Sequence, residues 1–308
     1  MREFFLAVDG GGSKTEFCLY DCATGEARHF YSGSTNYKIS EEADADLEAF
    51  GEGVMRTFME TGVKIAQIRG LVMGMAGVDS PKDYEHYLHI GMSIGFPKER
   101  IHVCNDSELA FYSKGAPPGL CIIAGTGSVS LGVSAQRQMV RSGGWGSPIS
   151  DEGSGGWIGI RILGKLLRYC DGYDKHLPVF DDLRTHFGAS SFEELPHNLS
   201  LIGMREIAGA ARVVLGCADA GDPYCLELVH QAAFLAAEMG CSVYAKLAFA
   251  REPSVDVVMA GSLFKSLSFR EKFMEEIQTM ASAKNLRFCE AVSNPVLGGI
   301  ALAKALFA

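Results

Sequence analysis

The sequence of 308 residues has no long apolar run, no block of basic residues and only 10 prolines. No stretch reaches the roughly 18 to 20 uninterrupted apolar residues that a membrane-spanning helix needs. The N-terminus lacks a basic region followed by a cleavable apolar segment, so we expect a cytoplasmic protein. The formal net charge of −9, without clustered lysines or arginines, disfavours a nucleic-acid partner. A hydrophobic fraction of 47% excludes disordered and fibrous classes.

The cysteines lack the spacing of a metal site or a disulfide framework. They number nine, an odd count, and they are spread along the chain. Most lie inside apolar runs, as Cys121 does in residues 120–123. None forms a C-x-x-C pair or stands beside a histidine cluster. We therefore expect free, buried thiols in a reducing compartment rather than disulfides, structural zinc or an iron–sulfur cluster.

Glycine, in contrast, is abundant, with 36 residues that cluster after short apolar runs. Three such runs have the pattern of a buried strand and end in a small polar turn. They are residues 4–8 before Asp9–Ser13, residues 120–123 before Ala124–Ser128, and residues 255–259 before Ala260–Ser262. Because glycine is the least costly residue at tight turns and beside ligands, these turns are candidate binding loops.

The first two of these segments resemble each other, which indicates an internal duplication. Superposing Gly10 on Gly125 also pairs Gly12 with Gly127, and a second strand pattern follows each turn. A repeat of this size predicts two related lobes rather than a solenoid, whose period is about 20 to 50 residues. Alternating strand and helix patterns predict α/β lobes. The segment 112–119 breaks both periodicities, which places an N-terminal lobe at 1–114 and a C-terminal lobe at 115–294, with the terminal helix 295–308 crossing back to the first lobe.

The periodicity also gives the individual elements. Besides the strands already named, it predicts strands at residues 15–20, 28–31, 71–75, 101–104 and 129–133. Helices are predicted at residues 41–60, 81–94, from 106 onward, 157–169, 204–215, 223–249, 265–280 and 295–307.

The turn after the first strand has the composition of a phosphate-binding loop. Backbone N–H groups of Gly10–Gly12 can converge on an anion, and Ser13–Thr15 adds hydroxyl groups and a lysine. Asp9, at the carboxyl end of its strand, could hold Mg²⁺ through water. A glycine-rich structural hairpin explains this turn alone equally well. The second turn, Gly125–Ser128, favours the nucleotide, because two loops from opposite lobes can hold a phosphate chain from both sides.

Two other nucleotide motifs fail. The dinucleotide fingerprint needs a third spaced glycine, but position 15 is threonine. Residues 159–165 imitate a P-loop, but Leu166 replaces the required serine or threonine, and the segment has helical patterning.

Three further segments contain polar or aromatic residues that could act in catalysis or sugar binding. Asp106 follows a strand and opens a helix, so it is either a helix N-cap or a general base that accepts the proton of a hydroxyl group. Residues 143–157 hold both tryptophans and an acidic pair, a composition that suits a sugar. The polar turn Ser34–Asn36 could bind a sugar through its amide or only stabilise the turn.

The order of these motifs resembles the N-acetylglucosamine kinases, which belong with the BadF/BcrA-type ATPases in the sugar-kinase, heat-shock-chaperone and actin superfamily. The matching motifs span nearly the whole chain: Asp9–Thr15, Ser34–Asn36, Asn105–Asp106, Gly125–Ser128, Gly143–Gly146, Asp151–Ser154 and Gly261–Ser262. The resemblance implies an α/β, two-lobed actin-like (ribonuclease-H-like) ATPase fold with a cleft between duplicated lobes. It also implies ATP and Mg²⁺ as cofactors and a homodimer with no membrane partner.

The resemblance further implies a role for each residue. Asp9 would lie near the magnesium-bound water, and Asp106 would be the base that activates the sugar 6-hydroxyl. The ATP phosphates would be bound by Gly11, Gly12, Ser13, Lys14, Thr15, Gly125, Thr126, Gly127 and Ser128. The adenosine end would be lined by Gly261 and Ser262, and the amino sugar would be held by Asn36, Gly144, Trp145 and Asp151, together with Asp106.

The sequence leaves alternatives open. It departs from the family at Ser107 and Glu108, where a small residue often follows the aspartate, and residues 170–201 match no family motif. N-acetylglucosamine, glucosamine, N-acetylmannosamine and N-acetylmuramate all remain possible substrates. An ATPase that activates a dehydratase would need cluster-ligating cysteines at a subunit interface, and no convincing pair is present. A catalytically silent sugar sensor is disfavoured because the base and both phosphate loops occur together.

Overall fold

The computed structural model describes residues 2–12, 14–38, 44–292 and 294–308. The chain divides into two units, Met1–Ala116 with Ala291–Ala308, and Pro117–Glu290, each considered over its described residues. We call these the first unit and the second unit. Among the residues covered, no helix combines the length and the apolar composition that a membrane span requires.

The first unit contains a five-stranded sheet and four α-helices among its described residues. Its strands are β1 (Phe4–Gly10), β2 (Thr15–Asp21), β3 (Ala27–Ser32), β4 (Ile68–Met75) and β5 (Ile101–Asn105). Its helices are α1 (Ala45–Thr61), α2 (Pro81–Ser93), α3 (Asp106–Tyr112) and α10 (Val296–Phe307). The central strand β1 is buried along nearly its whole length, as expected of a strand covered on both faces.

The second unit contains the other five-stranded sheet. Its strands are β6 (Gly119–Ala124), β7 (Ser128–Val133), β8 (Met139–Gly143), β9 (Val255–Ala260) and β10 (Leu286–Glu290). Its helices are α4 (Gly155–Cys170), α5 (Val179–His186), α6 (Leu195–Ser200), α7 (Met204–Asp219), α8 (Pro223–Lys246) and α9 (Leu267–Met280). β9 is buried throughout. The burial of its one aspartate, Asp256, is compensated by two hydrogen bonds from Arg287 at 2.6 and 2.8 Å.

The two sheets repeat one topology, which confirms the predicted duplication. The strand orders are β3-β2-β1-β4-β5 and β8-β7-β6-β9-β10. In both sheets the first three strands form an antiparallel meander, and the last two run parallel to the central strand. The two hairpin turns differ in length, because Gly10 pairs with Thr15 in the first sheet but Ala124 pairs with Ser128 in the second.

Most predicted elements are present, with shifted ends. The helix predicted from residue 41 begins at Ala45, and its predicted first residues lie outside the described part of the chain. The helix predicted to end at residue 249 ends at Lys246. Two strands and two short helices were not predicted: β8, β10, α5 and α6.

Helix α10 packs against α3 and β1 through a pair of small residues. A Cβ atom on Gly298 would overlap the carbonyl oxygen of Leu109 in α3, and a Cβ atom on Gly299 would lie 2.8 Å from the Cβ of Ala7 in β1. Before the helix begins, Asn294 donates a hydrogen bond of 2.7 Å to the carboxylate of Glu16 in β2. The close approach therefore depends on the absence of side chains at both glycines.

We predict that Gly298→Ala destabilises the protein, because the new methyl group meets helix backbone rather than a movable side chain. Overpacking of this kind costs about 1–3 kcal/mol of unfolding free energy. The matched control is Gly51→Ala in α1, where a Cβ atom meets nothing within 4 Å. The control should be neutral or should gain about 0.5–1 kcal/mol. Urea unfolding measures both; equal midpoints for the two variants would show that the α10–α3 contact is not tight.

Candidate active site

Two aspartates lie where parallel strands of the first sheet end. β1, β4 and β5 are parallel, so their carboxyl ends share one edge of the sheet. Asp9 is the penultimate residue of β1, and Asp106 follows β5 directly. The edge formed by the carboxyl ends of parallel strands is where α/β proteins bind ligands.

The electrostatics of Asp9 indicate that Asp106 lies near it. Burial, then the negative charges of Asp106 and Glu16, raise the pKa of Asp9 from 3.8 to about 6, and Lys14 opposes them. A partly exposed pair of carboxylates with unfavourable mutual repulsion suits a hard divalent cation such as Mg²⁺. The residues present at this edge therefore fit the cation that the sequence predicts.

Asp106 is not the N-cap of α3. Asn105 has that role: its side-chain oxygen accepts the backbone N–H of Ser107 at 3.0 Å, and its amide donates to the carbonyl oxygen of Val78 at 3.2 Å. The N-cap alternative for Asp106 is therefore wrong, because the neighbouring residue already satisfies the helix terminus.

The glycine turn between β1 and β2 is held by its own backbone and by a neighbouring loop. The Gly11 N–H donates to the Lys14 carbonyl at 3.1 Å, and the Ser34 hydroxyl donates to the Gly11 carbonyl at 3.1 Å. Gly12 and Lys14 are exposed, with the lysine ammonium 5.2 Å from the centroid of the Tyr31 ring. Ser13 lies outside the described residues.

Thr15 and Asn36 are buried, and both already have partners in the first unit. The hydroxyl groups of Thr15 and Thr35 are 2.8 Å apart and hydrogen-bonded. The side-chain oxygen of Asn36 accepts the Lys38 N–H at 3.1 Å. The hydroxyl of Thr15 therefore stabilises the loop that carries Asn36, which joins the predicted phosphate turn to the predicted sugar residue.

The second glycine turn is fixed to the start of α4. Its carbonyl groups, on Gly125 and Thr126, accept the N–H groups of Gly155 and Gly156 at 2.8 and 3.0 Å. The first helix position requires glycine, because a Cβ atom on Gly155 would lie 2.9 Å from the Gly125 oxygen. A Cβ atom on Gly156 would lie 3.1 Å from the Thr126 oxygen, which is also a tight contact. The unpaired N–H groups of a helix start are thus satisfied by the turn itself.

Asp151 connects this turn to the tryptophan loop. It is buried, has a left-handed backbone (φ 68°), and its carboxylate accepts the backbone N–H groups of Gly146 and Ser128. Burial is the main cause that raises the pKa of Asp151. A non-glycine residue at this φ is strained, so the hydrogen bonds hold it in place.

The two tryptophans have different environments. Trp145 is 75% exposed, and the Arg141 guanidinium lies 4.3 Å from its ring centroid. The same guanidinium donates to the Gly144 carbonyl at 2.6 Å. Trp157, in contrast, lies in α4 and is buried in the core of the second unit. Only Trp145 offers an open aromatic face to a ligand.

Gly261, at the carboxyl end of β9, brings a third loop to the second turn. Its φ of 99° requires glycine, and a Cβ atom there would overlap the backbone of Ala124 at the end of β6. Gly261 and Ser262 therefore lie directly beside the turn that begins at Gly125.

A cavity of about 550 Å³ opens between these loops within the second unit. The predicted residues Gly125, Thr126 and Ser262 line it. The cavity is also lined by three exposed, positively charged side chains that were not predicted from the sequence: Arg205, Arg212 and Lys265. Arg205 and Arg212 are seven residues apart in α7 and share a helix face, the one signal that could have identified them. In a chain of net charge −9, this local positive charge suits a polyanion.

Comparison with solved structures defines the class of fold. A crystal structure from Chromobacterium violaceum, solved as a candidate N-acetylglucosamine kinase, matches with a TM-score of 0.72 at 20% identity, over 98% of this chain and 99% of that chain. The fold is thus the two-lobed, actin-like α/β fold of sugar kinases, as predicted.

A match to a family model identifies the protein family within this fold class. The model of the BadF/BadG/BcrA/BcrD ATPase family matches residues 6–302, and the chain belongs to this family. An N-acetyl-D-glucosamine kinase from Dictyostelium discoideum is 27% identical, over 98% of each chain. An N-acetylmuramic acid/N-acetylglucosamine kinase from Clostridium acetobutylicum is 28% identical, over 75% of this chain and 76% of its own length.

We predict that Gly127→Ala destabilises the second unit, because a Cβ atom would lie 2.7 Å from the Asp151 carboxylate oxygen and displace it. Loss of the hydrogen bonds that this carboxylate accepts costs about 1–3 kcal/mol. Gly125→Ala is the control in the same turn, since a Cβ atom there meets nothing within 4 Å. Thermal unfolding compares the two, and a Gly127→Ala midpoint as high as that of the control would mean that Asp151 can move at no cost.

Proposed function

We propose that the protein is an ATP-dependent amino-sugar kinase that phosphorylates the 6-hydroxyl group of N-acetylglucosamine or a close relative. The observation that carries this proposal is the carboxylate pair, Asp9 and Asp106, at the carboxyl ends of β1 and β5. The family and two relatives that are named kinases of N-acetylated amino sugars support the substrate class, and a third relative, named a glucosamine kinase, supports an amino sugar more broadly. The homodimer and the cytoplasmic location stay predictions.

Asp106 acts as the general base in this proposal. Its carboxylate accepts the proton of the sugar 6-hydroxyl while the oxygen attacks the γ-phosphorus of ATP. The new O6–P bond forms as the bond between the γ-phosphorus and the β,γ-bridging oxygen breaks, and ADP leaves with that bond's electron pair. A positioned base of this kind contributes about 10²–10⁴-fold to the rate.

Asp9 would hold Mg²⁺ through water, and the glycine turns would bind the phosphates. The cation, when bound, neutralises charge on the phosphoryl oxygens. Backbone N–H groups of Gly12, Thr126 and Gly127, with the ammonium of Lys14, orient the phosphate chain. The N–H groups of Gly11, Gly125 and Ser128 already donate within the protein and shape the two turns instead. The cations of the second-unit cavity, together with Gly261 and Ser262, receive the rest of the nucleotide.

The sugar contacts follow from the polar and aromatic groups near these turns. The exposed face of Trp145 can pack on the pyranose ring. Asn36 and Asp151 supply amide and carboxylate groups for its hydroxyls, and Gly144 supplies its backbone. Because Asp151 also accepts hydrogen bonds from the phosphate turn, it would connect sugar binding to the geometry of that turn.

The dehydratase-activator alternative finds no support in the cysteines. All nine thiols are free, and Cys22 alone among them is exposed. A cluster shared between subunits needs accessible thiolates, so the amino-sugar kinase explains the described residues better.

We predict that Asp106→Asn lowers kcat for the amino sugar by about 10²–10⁴-fold while the protein stays folded and still binds ATP, because only the proton acceptor is lost. Asp44→Asn, an exposed aspartate of the same unit, should keep wild-type turnover. ADP release is measured with N-acetylglucosamine, N-acetylmuramate, N-acetylmannosamine, glucosamine and glucose.

The results of these assays test the substrate class, the general base and the kinase activity separately. Turnover with an N-acetylated hexosamine that Asp106→Asn abolishes supports both the substrate class and the base. Near-normal turnover of Asp106→Asn would show that another group takes the proton. Sugar binding without ADP release in the wild type would favour the silent sensor and contradict the kinase.

A further inference from the structure

A second cluster of potential metal ligands lies beside the turn that carries Asp106. It consists of His102 and Cys104 in β5 and Glu108 in α3, and one ligand atom from each lies within 4.8 Å of the others. His102 and Cys104 are two residues apart in a strand, so their side chains share one face of the sheet. None of the three has a part in the proposed kinase reaction.

The imidazole of His102 lies at ion-pair distance from Glu108 but makes no hydrogen bond through Nε2. Its Nε2 atom is inaccessible to solvent and has no hydrogen-bond partner. A carboxylate oxygen of Glu108 lies 3.5 Å from it. A buried polar nitrogen without a partner is costly, and such an atom in a native protein calls for an explanation.

That separation fits two ligands of one metal ion. In a tetrahedral zinc site with Zn–N of about 2.0–2.1 Å and Zn–O of about 2.0–2.2 Å, the nitrogen and oxygen ligands are about 3.4 Å apart. The Cys104 thiol already contacts Glu108, as a hydrogen bond between them indicates. Small side-chain shifts therefore bring all three atoms to coordination distance.

The formal charges of the three side chains also balance the charge of a divalent ion. Cys104 and Glu108 are each only 4% exposed, so a thiolate and a carboxylate there need a compensating cation. One divalent ion with a thiolate, a carboxylate and a neutral imidazole gives an uncharged buried cluster.

We propose that His102, Cys104 and Glu108 form a binding site for a thiophilic divalent cation of the zinc class, with water as the fourth ligand. The ligand set mixes sulfur and nitrogen, which zinc accepts and magnesium avoids. The site is separate from the magnesium position assigned to Asp9. Since its ligands lie on both sides of Asn105 and Asp106, a bound ion would fix the turn from β5 to α3.

The experiment is a Co²⁺ titration of the metal-stripped full chain, with Zn²⁺ as competitor. We expect one equivalent of Co²⁺ to give a thiolate-to-cobalt charge-transfer band that Zn²⁺ removes. His102→Gln is the main variant, because this side chain is 27% exposed and its replacement leaves the core intact. It should weaken binding at least about tenfold, as loss of even an outer partner of a ligand does.

Further variants test the ligands and the independence of the site. Cys104→Ser should remove the charge-transfer band, and Cys121→Ser, a buried cysteine of the second unit, should retain it. Asp106→Asn should also retain the band, since Asp106 is not a ligand; this result would stand even if the kinase proposal failed. Zn²⁺ should raise the unfolding midpoint of the wild type more than that of His102→Gln.

Two results would overturn the proposal. One is the absence of a charge-transfer band in the folded wild type at saturating Co²⁺. The other is a band of unchanged intensity and affinity in His102→Gln or Cys104→Ser, which would place the thiolate elsewhere.

Discussion

The repulsion between two carboxylates at one edge of the first sheet is the constraint on which the account depends. Parallel pairing of β1, β4 and β5 fixes the chain so that Asp9 and Asp106 come together. The pairing is unfavourable for the folded chain alone, since burial and neighbouring charge raise the pKa of Asp9 to about 6. A site that holds negative charge in this way is suited to a cation and to proton transfer, at some cost to stability.

Backbone contacts support the corresponding arrangement in the second unit. The turn at Gly125 is fixed to α4 by hydrogen bonds, and Gly261 packs on the end of β6. Asp151 joins the same turn to the loop of Trp145. The glycines are therefore needed for close packing among these loops, and contacts within the protein hold the loops in position.

The sequence predicts the elements with strong periodicity and the residues at strand ends, because both depend on local order. Strands β8 and β10 were missed since they are only five residues long and no residue in either is fully buried. The cations Arg205 and Arg212 were missed because tertiary packing decides which face of α7 meets the cavity. The His102 cluster was missed for the same reason, because its third member, Glu108, lies in the next helix and only tertiary packing brings it to β5.

The most direct test of the shared site is the pKa of the Asp9 carboxyl group, measured by carbon-detected NMR titration of the ligand-free protein. The account predicts a value of about 6 in the wild type, well above the ordinary 3.8. It also predicts a lower value when Asp106 is replaced by asparagine, because one of the charges that raise it is gone. An Asp9 pKa near 3.8 that does not change with this replacement would contradict the account, since the two carboxylates would then not share one site.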